Sequence, residues 1–358
     1  VEAANQLPSA REGATMEIGI SALGMTDPGR LAFLHVQNAE GREILCQGLD
    51  SDGDGTPDTL IFQADFGPSE SKKFQILPGE RRRYAASDFK AYGRFARERF
   101  DDFFWENDRV AHRMYGKALE TWKLHPLSSS TVDIWSKRTS RLVANDWLMV
   151  DDYHEDRGEG ADFYSAGESR GCGGNGIWAD GKLWVSRNFV QTRVLACGPI
   201  RVLFELVYEA FPANGALVGE TKRISLDAGQ HFSRFQSFYE NADPASMACA
   251  AGIKKVAGER MERGPAHAWL CSWEPMEMKA GEQGIALVAD PGSALGGAED
   301  DLNWLILSRI PGRGPVTHWA GFCWDRAGHF DGEKAWRAHV SEFAQSLSSP
   351  IEIEVKQA

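Results

Sequence analysis

The segment RVLFELVYEAFPANGALVGETKRISL (201–226) constrains the fold most. RVLFELVY is almost continuously apolar and rich in Val, Leu and Phe, which suits a buried strand. Asn214-Gly215 then supplies the pair of residues that tolerates positive φ in a tight hairpin turn. IWADGKLWVS has the same form, with Asp180-Gly181 at the turn and Trp178 and Trp184 beside it. IEIEV (351–355) alternates, which sets Ile351, Ile353 and Val355 on one face. A single helix is predicted, in DGEKAWRAHVSEFAQSL, where Trp336, Val340, Phe343 and Leu347 recur at helical spacing behind Asp331 as N-cap. No repeat of solenoid or propeller length is present. The chain therefore reads as mainly antiparallel β.

With 42% apolar residues, 12 Trp and 19 Phe among 358 residues, the chain can build a substantial core. Strand-like LAFLHVQN and TLIFQADF predict a small β domain over residues 1–90. PGERRRYAASDFKAYGRFARERFDDFF, charged and aromatic, is expected to connect it to the rest. Residues 91–358 are too many for an immunoglobulin-size sandwich and predict one large antiparallel β domain.

The net charge of −12 excludes a general nucleic-acid binder, which needs a cationic footprint. An anionic substrate has to be met by local arginines instead. No apolar run reaches the ~18 residues of a membrane span. The six cysteines are scattered without a CxxC pair, so a thiolate zinc site is not expected, and sparse buried thiols are favoured over disulfides.

Four stretches carry chemistry. DSDGDGTPD places Asp50, Asp52, Asp54 and Asp58 at loop positions one, three, five and nine, a spacing of hard oxygen ligands that suits calcium. Position twelve is Ile61 rather than a bidentate Glu, and a solvated inter-strand turn explains the same residues. GCGGNG (171–176) matches a dinucleotide fingerprint, but the next element is a hairpin and not a helix, so that reading is rejected. Its glycines instead permit close backbone approach or a tight loop. WENDRVAHRMYG (105–116), taken as one strand, sends Asn107, Arg109, Arg113 and Tyr115 to one face and Asp108 and His112 to the other. Two guanidiniums on one face suit a carboxylate or sulfate; a solvated face paired with acidic neighbours is the alternative. YHEDRGEGADFY (153–164) concentrates titratable groups beside glycines. His154 and Asp156 there can form an oriented base or two metal ligands, and Glu159, Asp162 and Tyr164 follow, with Glu168 and Arg170 just beyond. THWAGFCWDRAGHF (317–330) adds His318, Trp319, Trp324, Asp325 and His329, and DAGQHFSR adds His231 at a strand start.

Together, WENDRVAHRMYG, YHEDRGEGADFY, GCGGNGIWADGKL, GFCWDRAGHF and DSDGDGTPDTLIFQADF resemble a bacterial family labelled as a domain of unknown function and found in polysaccharide-utilisation loci. The resemblance spans nearly the whole chain. It implies a galactose-mutarotase-like antiparallel supersandwich preceded by a small β-sandwich domain. It further implies an oligosaccharide dehydratase, as in ulvan breakdown, that leaves a 4,5-unsaturated uronate. A periplasmic or secreted protein whose signal peptide has been removed is expected with it.

Such a dehydration needs a cation to neutralise the uronate carboxylate, a base for the C5 proton and an acid for the departing hydroxyl. Arg109 and Arg113 suit the first task, His154 the base and Tyr164 the acid, with His112 competing for either proton transfer. Asn107, Asp156, Glu159, Asp162, Arg170 and Trp324 are expected to line the cleft for an acidic oligosaccharide. No cofactor is expected in the chemistry; a structural calcium is the one metal suggested. A polysaccharide lyase needs nearly the same set. A glycoside hydrolase needs two carboxylates, for which Glu159 and Asp162 qualify. An epimerase or mutarotase needs a base and acid on opposite ring faces, and a non-catalytic binding module needs only aromatic platforms. The His-Tyr-Arg set favours an enzyme.

Overall fold

The computed structural model describes residues 1–123, 127–150 and 152–356. The chain is mainly β, arranged in antiparallel sheets packed as sandwiches. In the N-terminal part, strands Arg11–Gly19, Thr59–Phe66 and Cys46–Leu49 form one sheet. It faces a second sheet ordered Glu352–Glu354, Glu2–Ala4, Ser71–Pro78, Leu34–Asn38, Glu43–Ile44. Met16, Ile18, Val36, Phe62 and Phe74 are buried between them. The alternating IEIEV segment belongs here: Ile353 pairs with Ala3, and Ile351, Ile353 and Val355 pack on this core. The chain's last strand thus completes a unit begun by its first, which a boundary at residue 90 does not convey.

The larger part is built on an eight-stranded sheet. Its longest strands, Arg201–Ala213 and Ala216–Asp227, turn at Asn214 and Gly215, both with positive φ. Two five-stranded sheets cover one face of it. Trp105, Val132, Ile134, Phe204, Ile224, Phe235, Leu287 and Phe322 fill the space between the layers. At about 1.5–3 kcal/mol for each large apolar side chain buried, this interior is the main source of stability. Gly173 shows why glycine recurs in GCGGNG: a Cβ there would lie 2.1 Å from the Ala320 Cβ, at a φ of +96°.

The helix Glu333–Ser348 lies on the outer face of the eight-stranded sheet, with Trp336 and Val340 buried near Cys271 and Trp273. Its N-cap is Gly332 with no side-chain cap, one residue past the expected Asp331. Among the described residues no helix is long and apolar enough to cross a membrane. All six cysteines are free, and five are buried.

Two local readings change. The supposed connector contains strands Ala91–Ala96 and Asp102–Asn107, because its apolar Ala91, Phe103 and Trp105 enter the inter-sheet core. WENDRVAHRMYG is a hairpin, not one strand: Asp102–Asn107 pairs with Ala111–Met114. The Asn107 side-chain oxygen accepts from the amides of Arg109 (2.8 Å) and Val110 (2.9 Å), an Asx turn that reverses the chain.

That hairpin tip sits at one end of the sandwich. Asn107 Nδ2 donates to the carbonyls of Asp227 (2.6 Å) and Gln230 (2.7 Å), just before the strand Phe232–Glu240. Phe232 pairs with Gly321 near the end of Val316–Trp324, and Gln283 pairs with Trp324 itself. Loops following several strands therefore meet at this end.

Candidate active site at one end of the sandwich

The hairpin separates the two arginines expected to act together. Arg113 lies in a buried network to which Tyr153 and Asp162 contribute. Its Nη2 is 2.5 Å from Asp133 and 3.4 Å from Asp162, and its Nε is 3.9 Å from Asp102. Tyr115 Oη donates to Asp133 at 2.8 Å, and Arg113 Nη1 donates to Tyr153 Oη at 3.1 Å. Three carboxylates thus surround one guanidinium, and burial pushes the Asp102 carboxyl up to about 8. Burial, then the neighbouring Asp133, raises Asp162 as well. Arg113 is already engaged by protein carboxylates, so its position is that of an internal anchor and not of a substrate clamp.

The polar loop is largely tied down in the same way. Asp156, expected beside His154, instead pairs with Arg138 and accepts from the amides of Gly158 (2.8 Å) and Gly160 (3.1 Å). Glu159 accepts two bonds from Arg141, at 2.7 and 3.0 Å. Glu159 and Asp162 therefore have separate arginine partners and do not form a matched carboxylate pair. Lys137, fully buried, bonds Glu106 at 2.8 Å, and Glu106 also accepts from the amides of Val143 and Ala144. Arg170 is buried on Ser130 O and Ser129 Oγ, both at 2.8 Å. Its geometry is structural.

His112 does not reach solvent. It stacks on Trp105, with ring centroids 4.9 Å apart, and both ring nitrogens lack a partner. Burial lowers it to about 3, so it is neutral and enclosed. His154 is exposed; its Nδ1 lies 2.8 Å from the Asp162 carbonyl, which selects the Nδ1–H tautomer and leaves Nε2 free to accept a proton. No hydrogen bond, ion pair or ring contact joins it to Arg109 among the described residues.

Arg109, at the hairpin tip, is half-buried, makes no ion pair among the described residues, and has a buried Nε without a partner. Its charge reaches two histidines, His231 and His329. His231 Nε2 and His329 Nδ1 lie 3.3 Å apart. Burial, then the neighbouring His339 and His329 and last Arg109, lowers His231 well below the usual histidine range. Burial and Arg109 lower His329 as well. Both are neutral near pH 7, so a histidine pair stands within reach of the charge of a guanidinium that makes no ion pair among the described residues. Asp108 in the same turn accepts from the Gly229 amide at 2.7 Å and so fixes the two loops together.

A second feature adjoins this end. Trp324 is buried, donates to the Ala280 carbonyl at 2.9 Å, and carries the Arg138 guanidinium over its ring at 5.1 Å. It contacts Phe163, which lines a pocket of about 210 Å³ together with Tyr164, Lys254, Glu274, Met276 and Gln283. Burial, then the charge on Glu274, holds the Tyr164 hydroxyl protonated well above the usual tyrosine range.

In the N-terminal part, Asp50, Asp52 and Asp58 bring one carboxylate oxygen each to within 4.8 Å of one another; Asp54 is not in that group. The three fit a hard cation. Asp50 accepts from the amides of Gly53 (2.7 Å) and Gly55 (2.8 Å), and Arg193 and Arg223 of the large domain bond the loop's carbonyls. Ile61, at loop position twelve, is fully buried and supplies no ligand.

The family model described as a domain of unknown function, DUF4861, matches residues 3–353. The chain belongs to the DUF4861 family. A Formosa agariphila protein described as uncharacterized protein P7 is 30% identical over 368 residues, covering 98% of this chain and 92% of the relative. In fold, the DUF4861 chain is similar to the crystal structure of a protein in glycosyl hydrolase family 38 from Enterococcus faecalis. The TM-score is 0.55 at 10% identity, over 99% of this chain. The chain spans 47% of that structure's length.

Within this DUF4861 chain, the pairing of His231 with His329 and the polar lining by Glu274 and Gln283 escape a reading by segments. Each residue stands alone in its own stretch. The one local signal was the GHF and GQHF contexts, in which a glycine lets a loop place an imidazole at a strand end.

Proposed function

We propose that the protein is a carbohydrate-active lyase that dehydrates the terminal uronic acid of an acidic oligosaccharide to a 4,5-unsaturated uronate. One observation carries this reading: in a chain of net charge −12, Arg109 has no carboxylate partner among the described residues, and its charge reaches two imidazoles that burial keeps neutral. An arginine so placed suits a substrate carboxylate, and the imidazoles suit abstraction of the proton next to it. The shared fold with a structure bearing a glycosyl hydrolase name agrees with a saccharide substrate.

In this mechanism Arg109 binds the uronate carboxylate and stabilises the charge that develops on it. The mechanism requires the tautomer in which His329 Nδ1–H donates to His231 Nε2, which leaves His329 Nε2 as the base. That nitrogen takes the C5 proton; the C5–H electrons form the C4–C5 double bond as the C4–O bond breaks. The proton now on His329 is delivered to the departing hydroxyl, which leaves as water. One imidazole thus serves both transfers. His154 has a free Nε2 but no contact with Arg109, so the base passes from His154 to His329. Tyr164 and Trp324 belong to the adjoining surface that holds the rest of the saccharide.

Paired substrates test the reading. Oligosaccharides ending in a uronate are incubated with the protein alongside the same oligosaccharides with that carboxyl reduced to an alcohol. Ultraviolet absorbance from a conjugated double bond is expected with the first set only. Equal turnover of both sets removes Arg109 from the mechanism and the dehydration with it.

A further inference from the structure

We infer that the pocket beside Tyr164 is a binding subsite for a neutral, hydroxyl-rich ring such as a single pyranose unit. The inference rests on the reading above that this surface holds part of the saccharide, but the pocket itself carries it, and it is tested apart from the dehydration.

Three observations point to such a ligand. First, two lining side chains keep a polar oxygen unpaired: Tyr164 Oη and Gln283 Oε1 have no hydrogen-bond partner among the described residues, and both residues are at least nine-tenths buried. Unpaired buried oxygens are costly, and a ligand that supplies hydroxyls relieves them. The rest of the Gln283 amide is fixed, because its Nε2 donates to Glu274 Oε1 at 2.8 Å. Ser272 Oγ contacts the other Glu274 oxygen at 3.2 Å and donates to Glu259 at 3.0 Å, so the carboxylate cannot swing away.

Second, the charges around the pocket do not select one sign: Glu274 and Glu277 stand with Lys254 and Lys255, whose ammonium groups already bond the Ser165 carbonyl and Glu299. Burial also pushes Glu274 up to about 7, so near neutrality it is both a donor and an acceptor, as a polyol requires. Third, Phe163 and Met276 form apolar walls, and pyranose rings present C–H faces to such surfaces. A pocket of about 210 Å³ is below the range of drug-sized sites, which fits one ring rather than a chain of them.

Saturation-transfer NMR on the intact protein tests this, with D-glucose, D-galactose and D-xylose as separate probes and D-glucuronate as the charged comparison. Transfer to at least one neutral pyranose is expected. Tyr164→Phe removes one oxygen with little change of shape and is expected to weaken that binding about three- to tenfold, as loss of a single hydrogen bond does. Gln283→Ala is expected to act in the same direction, with its thermal melt recorded as a check on folding. Arg109→Ala is expected to leave the neutral-pyranose signal in place. Absence of transfer to all three neutral sugars overturns the inference, as does unchanged binding in Tyr164→Phe. Either result leaves the carboxyl-dependent turnover at Arg109 to be judged by its own assay.

Discussion

His231 Nε2 faces His329 Nδ1 at 3.3 Å, and the charge of Arg109 reaches both. Burial lowers both imidazoles, helped at His231 by His339, His329 and Arg109 and at His329 by Arg109, so each stays neutral to a more acidic pH than a free histidine. A base must be unprotonated to act. The acid limb of kcat/KM is therefore expected below the ordinary histidine pKa of 6.5. His231→Asn is expected to shift that limb; an acid limb above 6.5 in the wild type contradicts the assignment.

Replacing His329 separates the base from its alternatives. His329→Ala is expected to lower kcat by about 10²- to 10⁴-fold with a small change in KM, because a base acts in the transition state. His154→Ala is expected to retain most turnover. The reverse result, an active His329→Ala and an inactive His154→Ala, returns the role to the exposed loop.

The Arg113 network is expected to govern stability. Arg113→Met leaves Asp102, Asp133 and Asp162 buried without their cation and is expected to cost about 3–5 kcal/mol in denaturant unfolding. The same network sets an alkaline trend. The folded state keeps Asp102 protonated up to about 8, whereas unfolded aspartate ionises near 3.8. The unfolded chain thus binds fewer protons in between, and this contribution to stability is lost as pH rises through about 8. Glu274, raised to about 7, adds to the fall up to that pH. The melting temperature is expected to drop between neutral pH and about 8, and Asp102→Asn is expected to flatten the slope. A melting temperature that rises over this range refutes it.

The aspartate loop is expected to matter for folding and not for turnover. Asp50→Ala removes the acceptor for two backbone amides and is expected to cost about 1–3 kcal/mol while kcat/KM stays unchanged. A lower melting temperature in EGTA, restored by calcium and absent in Asp50→Ala, assigns the loop a metal. Loss of turnover without loss of stability contradicts its remoteness.

The architecture was legible wherever local physics decides it. Asn214-Gly215 turns because both residues hold positive φ, and Trp336 and Val340 share one helix face. The site was less legible because its contacts are long-range. His231 and His329 stand 98 positions apart and meet only through the pairing of Phe232–Glu240 with Val316–Trp324. Asp133 attracts no notice in sequence, yet it occupies Arg113 and removes it from the clamp. Asn107 was read as a strand residue; its side chain instead closes the turn that parts Arg109 from Arg113. The density of charge in YHEDRGEGADFY reflects loop pinning by Arg138 and Arg141 more than a catalytic lining.

Running the reaction in ¹⁸O-labelled water with a uronate-terminated oligosaccharide tests the central claim most directly, with mass and ultraviolet absorbance read on the same product. The account predicts a product of unchanged chain length, lighter by the mass of one water, absorbing in the ultraviolet and free of ¹⁸O. A shortened saccharide carrying ¹⁸O at its new end, or an unchanged substrate with a folded protein, contradicts it.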